Sequence, residues 1–270
     1  MSRKSFNHRS IALQRAIHEI LSFENVHFRT VFLSPRPTIE YFNDGQAANL
    51  AVTRAIIFGQ ALSRYLQMHS VIETAEKCIP MLSRYPWDKQ KISRSEHIQF
   101  VWHAFTHQCY LLKERSEKFQ TDMNQLRKAF SDAETSLKST NKSVLGKIGK
   151  FIAFRGEHTH EWPISHEIYD FFNMLEVVES ISSEYGDRVM RIAYGAAKND
   201  AIIEIESGLD RMAEVFANYP GEPLSSLLRY ARLIEEAFNT LDIRVRPLTN
   251  EELLEHSRRR QEELQNRWRK

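Results

Sequence analysis

The chain has 270 residues, 42% of them hydrophobic and 11% aromatic, enough to build a substantial core and to exclude a disordered protein. Its 37 basic and 35 acidic residues leave a formal charge of +2, which excludes the global electrostatic footprint of a duplex-DNA binder, so any contact with nucleic acid must be local. Two cysteines, Cys78 and Cys109, provide neither a disulfide framework nor a zinc cluster, and a reducing cytoplasm is the expected compartment.

From the N-terminus, Met1 to Arg9 is polar where a signal peptide would carry an apolar run, and no stretch approaches the roughly 20 apolar residues of a membrane span. The spacing predicts a first helix over about 9–24, unassigned structure through Val31 to Leu33, and a break at Pro35 and Pro37. Gly45 opens a long segment to Cys78 that Pro80 is expected to end, and Pro86-Trp87 separates it from the next helix. From about Ser93 to Phe130 the residues Ile98, Val101, Phe105, Cys109, Leu112 and Phe119 recur at three- and four-residue intervals, the stripe of a long amphipathic helix. The polar stretch from Ser131 to Thr140 reads as a loop, and a short helix ended by Pro163 comes next. Helices at about 164–185 and 187–218 divide at Tyr185-Gly186-Asp187, and Ile202, Ile205, Leu209, Met212 and Phe216 form a second core stripe. Pro220-Gly221-Glu222-Pro223 precedes a helix at 224–240, and a last helix starts at Asn250 as N-cap, with Glu251 and Glu252 in its first turn. No strand pattern, repeat or low-complexity tract is found, so the fold class is all-α. In chain order the pieces are N-terminal helices at 1–92, a helical core at 93–185 and a C-terminal helical extension at 186–270.

The short helix after the loop is the most informative. Val144, Leu145, Ile148, Phe151 and Ile152 fall on one helical face, and the next positions on that face are Arg155 and Thr159. A guanidinium cannot shed its charge, so in a packed setting it needs a carboxylate, a phosphate or water. His160 follows near the helix end that Pro163 enforces, where the backbone dipole favours an imidazolium. On the long helix, His103, His107, Tyr110 and Glu114 share the side opposite the apolar stripe, from which Glu114 can face Arg155. His103 and His107 have the spacing of helical metal ligands but lack further ligands at motif spacing, so no metal is expected. The strings Glu24–His27 and Glu157–His160 raise a di-metal carboxylate bundle, but such bundles take a lone Glu from each of two further helices, and the string at Glu24 leaves almost no room for one before it in the usual order. Arg258-Arg259-Arg260 is followed at once by Glu262 and Glu263 and reads as a solvated helical face.

Arg155, four intervening residues, His160 and the trailing Glu161, closing a short helix after a long helix and a polar loop, resemble the Arg-x-x-x-x-His signature of the HEPN superfamily. The segment Tyr110-Leu111-Leu112-Lys113-Glu114-Arg115 is similar in style to the preceding helix of such proteins, and the likeness spans about residues 93–185. Gly156 stands where the family usually has a polar residue. The resemblance implies an up-and-down helical bundle with additional flanking helices. It also implies a metal-independent, cofactor-free endoribonuclease acting as a homodimer, with Arg155 and His160 catalytic and Glu114, His107, His158 and Glu161 supporting. The alternative is a non-catalytic helical interaction or regulatory protein, an antitoxin-like or defence partner that uses the motif helix as a dimer seam.

Overall fold

A computed structural model describes residues 3–33, 38–41, 43–84, 93–131, 145–153, 174, 177, 185–218 and 223–268. The chain is an all-α helical bundle protein. In order its elements are α1 (Arg3–Leu21), α2 (Val26–Leu33), β1 (Thr38–Tyr41), α3 (Gly45–Glu76), α4 (Cys78–Ser83), α5 (Arg94–Ala129), α6 (Tyr185–Asn218), α7 (Pro223–Thr240), β2 (Arg244–Arg246) and α8 (Asn250–Trp268). Between α5 and α6, residues 145–153 are helical over most of their length.

Two compact units form from interleaved stretches. One takes Met1–Ser10, Arg64–Gln120 and Thr135–Glu222, and the other takes Ile11–Ser63, Thr121–Glu134 and Pro223–Lys270. The first unit holds a core in which Trp102, Phe105 and Phe151 meet ring to ring and Tyr65 lies between Phe119 and Phe216. In the second, Phe28 is fully buried against Phe23, Phe32, Phe58 and Phe238. Each aromatic pair adds about 0.5–1.5 kcal/mol to what its buried area contributes.

The predicted stripe on α5 is the packed face, with Ile98, Val101, Phe105, Cys109, Leu112 and Phe119 all buried. On α6, Ile205, Leu209, Met212 and Phe216 are buried while Ile202 is half-buried. Gly208 explains how closely α6 approaches its neighbours, because a Cβ there would stand 2.4 Å from Phe105 Cζ and 3.1 Å from Phe151 Cζ.

Several boundaries depart from the sequence expectation for local reasons. Residues 26–33 form α2, whose first turn is capped by Asn25, its Oδ1 accepting from Phe28 N at 2.9 Å. Pro80 does not end the long helix; α3 stops at Glu76, and Pro80 lies in the first turn of α4, where an N–H would have no intrahelical acceptor. The last helix is capped by Thr249 instead of Asn250: Glu252 N donates to Thr249 Oγ1 at 3.3 Å and Thr249 N to Glu252 Oε2 at 2.7 Å, a reciprocal capping box. Ser93 and Glu96 make the same box at the start of α5. Two short strands, for which the sequence carries no alternating pattern, pair antiparallel with Ile39 opposite Val245, and β2 also packs on α2.

Candidate functional site

Residues 145–153 lead into the motif, and their packing belongs to the first unit. Ile148 N and Phe151 N donate to the carbonyls three residues earlier at 3.2 and 3.1 Å, so the segment turns tightly. Leu145, Ile148 and Phe151 are buried, so the predicted apolar face is the one that packs, whereas Ile152 at its margin is half-buried. Phe151 meets Phe105 edge to face, centroids 5.4 Å apart, and meets Trp102 at 6.1 Å. The polar side carries two lysines that tie the segment to α6, Lys147 paired with Glu214 and Lys150 with Glu204, the latter at 3.6 Å. Lys150 Nζ also sits 4.7 Å from the Phe151 ring centroid. Arg211 Nη1 donates to the Lys147 carbonyl at 3.4 Å. As the segment proceeds from 147 to 150, its partners on α6 step toward the N-terminal half of that helix. No motif singles out these lysines in the sequence, and their place between buried positions of a short helix is the one signal for such lateral pairs.

Arg155, His158, His160 and Glu161 lie outside the described residues, as does Glu157 of the second Glu-x-x-His string. The supporting residues on α5 are described. His107 is exposed, His103, Tyr110 and Glu114 are half-buried, and Tyr110 donates its hydroxyl to Glu114 Oε1 at 3.1 Å. These four occupy the side of α5 turned away from the Phe105–Cys109–Leu112 face, as their spacing requires. The tyrosine holds the Glu114 carboxylate in place, leaving a second oxygen with acceptor capacity for a cation.

Among the described residues, no three His, Cys, Asp or Glu side chains come together as a metal cluster. Glu24 of the first Glu-x-x-His string is exposed and precedes α2, on which His27 is half-buried. Both cysteines are buried and reduced. Burial pushes the Cys78 thiol up to about 11 and raises that of Cys109 further, and Cys109 Sγ donates to Met212 Sδ at 3.6 Å. Neither thiol is a ready nucleophile, because the reactive form is the thiolate. In the basic run, Arg259 pairs with Glu255 at 3.0 Å, an exposed contact of the kind found on solvated helices. No described helix is long and apolar enough to cross a membrane.

Compared with known proteins, the chain matches no protein-family model, no curated protein and no solved structure.

Proposed function

We propose that this protein is a metal-independent endoribonuclease of the HEPN type, acting in the cytoplasm as a homodimer whose two Arg155–His160 motifs share a cleft. The RNA supplies its own nucleophile. The 2′-hydroxyl attacks the adjacent phosphorus, the bond to the 5′ oxygen breaks, and the products end in a 2′,3′-cyclic phosphate and a 5′-hydroxyl. His160 moves the proton between attacking and leaving oxygens, and Arg155 stabilises the charge of the pentacoordinate phosphate. Glu114, His107, His158 and Glu161 orient that pair.

The observation that supports this reading is the packed face of residues 145–153. Leu145, Ile148 and Phe151 are buried in turn, and the same spacing in the sequence next reaches Arg155, a charge that a phosphate would satisfy. Purified protein is expected to cleave single-stranded or structured RNA in excess EDTA and to leave cyclic phosphate ends. Arg155→Ala and His160→Ala should each lower the rate by at least about a hundredfold with helix content unchanged, since the pair acts in the transition state. Activity lost to EDTA and restored by zinc would move the chemistry to a metal. Absence of cleavage across structured RNAs and transfer RNAs would favour the second reading, a helical interaction or regulatory protein, which the exposed apolar residues of α6 support.

A further inference from the structure

Where α3 meets α5 in the first unit, buried groups lock the two helices together. Ser116 donates its hydroxyl to Met68 Sδ at 3.2 Å, and the Tyr65 and Phe119 rings meet with centroids 5.7 Å apart, all four side chains being buried. Gln67 beside Met68 and Arg115 beside Ser116 are half-buried at the edge of this contact. Arg115 Nη1 donates to Gln67 Oε1 at 2.8 Å, and Arg64 Nη1, one turn back on α3, donates to the same oxygen at 3.4 Å. Two guanidinium groups therefore converge on one atom, and that atom belongs to an uncharged amide.

Like charges brought together at a half-buried place repel, and a nearby anion is the ordinary remedy. Among the described residues no carboxylate pairs with Arg115, which donates to the Gln67 amide instead. The nearest acids on α5 are committed elsewhere, Glu114 accepting from Tyr110 and Glu117 facing Lys113 at 4.0 Å. On α3 no acidic residue comes before Glu73, itself paired with His69. Arg64 has further contacts within the chain, so the uncompensated charge is counted on Arg115 alone. Exposed Lys118, three residues along α5 on the same side, adds a cation to the neighbourhood. We propose that Arg64, Gln67 and Arg115 form a binding site for a phosphate group, free or carried on a small molecule. The planar fork of a guanidinium matches phosphate oxygens two at a time, and Arg115 uses one N–H donor on Gln67 and keeps the rest. Glutamine suits the place between the arginines. Its oxygen fixes the direction of both forks without neutralising either, whereas a glutamate there would close the site with its own charge.

The site stands on described residues of α3 and α5 and does not require RNA cleavage, so either reading can fail alone. Thermal unfolding of the full chain, followed by circular dichroism at constant ionic strength, is expected to shift upward and saturate as inorganic phosphate replaces chloride, as for any ligand that binds the folded state. Arg115→Gln should weaken phosphate binding about tenfold or more by removing charge-assisted hydrogen bonds. Gln67→Glu is the sharper variant. It should hold or raise the midpoint without phosphate, since its carboxylate pairs with the arginines, and should abolish the shift that phosphate produces. A folding defect would instead lower the midpoint, and a general salting effect of phosphate would survive the substitution. A nucleoside 5′-monophosphate run in parallel separates the sources: binding tighter than that of phosphate assigns an esterified ligand, and equal or weaker binding assigns free phosphate. A wild-type midpoint that responds to neither ligand beyond matched chloride, or a shift that survives Gln67→Glu, would overturn the site.

Discussion

At the scale of single residues, the end of the chain shows how one carboxylate can serve two elements. Glu252 closes the capping box of α8 and accepts two hydrogen bonds from the Arg246 guanidinium of β2, each 2.8 Å long. Those bonds from Arg246, followed by the one from Thr249 N, hold its carboxyl down at about 2. The folded value lies below the unfolded one, so the contribution is present above the ordinary glutamate range and is lost as pH falls toward 2. Wild type and Glu252→Gln should therefore differ in urea midpoint at pH 7, and the difference should shrink below about pH 4.3, the ordinary glutamate value. A gap that stays constant from pH 7 to pH 2.5 would remove the ion pair from the account. Glu235 on α7 has the reverse sign. Burial raises its pKa, while the hydrogen bond from Asn25 N, 2.7 Å, pulls the other way. A raised folded value means that the favourable contribution belongs to low pH and is lost as pH rises, so at pH 7 the carboxylate is tolerated for the bond it accepts. Glu235→Gln keeps an acceptor and should be neutral or slightly stabilising at pH 7. Glu235→Ala should cost about 1 kcal/mol through the unmet amide at the start of α2, read as a lower urea midpoint.

At the scale of elements, α6 is fixed by what it lacks. Gly208 sits where Phe105 and Phe151 press against the helix, and both rings are buried. Alanine at an exposed helical glycine gains about 1 kcal/mol, but here a methyl 2.4 Å from Phe105 Cζ forces the rings or the helix to shift, which typically costs about 1–3 kcal/mol. Gly208→Ala is expected to lower the denaturation midpoint, and a stabilised variant would show that the rings repack freely. The same contrast between local and distant information explains which elements the sequence discloses. The α5 stripe is written in residues three and four apart, so its buried face follows from spacing alone. β1 and β2 are a few residues each and pair across about two hundred positions, leaving no periodicity to detect. α2 is only two turns long, and its strongest determinants are the Asn25 cap and the Phe28 contacts with Phe58 and Phe238, which come from distant parts of the chain. Pro80 misleads for a different reason: a proline read as a stop fits equally well in the first turn of the next helix.

At the scale of the whole molecule, the balance of charge sets what the candidate site has to accomplish unaided. The packed approach to the site is legible in the sequence, because Leu145, Ile148 and Phe151 obey helical spacing and are buried. The lateral pairs of Lys147 and Lys150 with α6 are not, since which acids face a lysine depends on tertiary placement. With a net charge of +2 and the exposed Arg259 already paired to Glu255, long-range attraction for RNA is weak, so on the proposed mechanism affinity must come from the few cations of the cleft. Two arginines and up to two imidazoliums, one set from each copy, would neutralise about two to four phosphates. Single-stranded RNA releases counterions with a slope of about −0.7 per phosphate contact, so log Kd against log salt should change by about 1.5 to 3 per decade. Fluorescence anisotropy with RNA methylated at every 2′-oxygen, which cannot attack its own phosphate, measures that slope without cleavage. Arg155→Ala should remove about two contacts at once, because the two-fold axis duplicates every loss, and the slope should fall by about 1.4. A slope steeper than about 4 that is unchanged by Arg155→Ala would place RNA on a broad basic surface and not in a shared Arg155–His160 cleft.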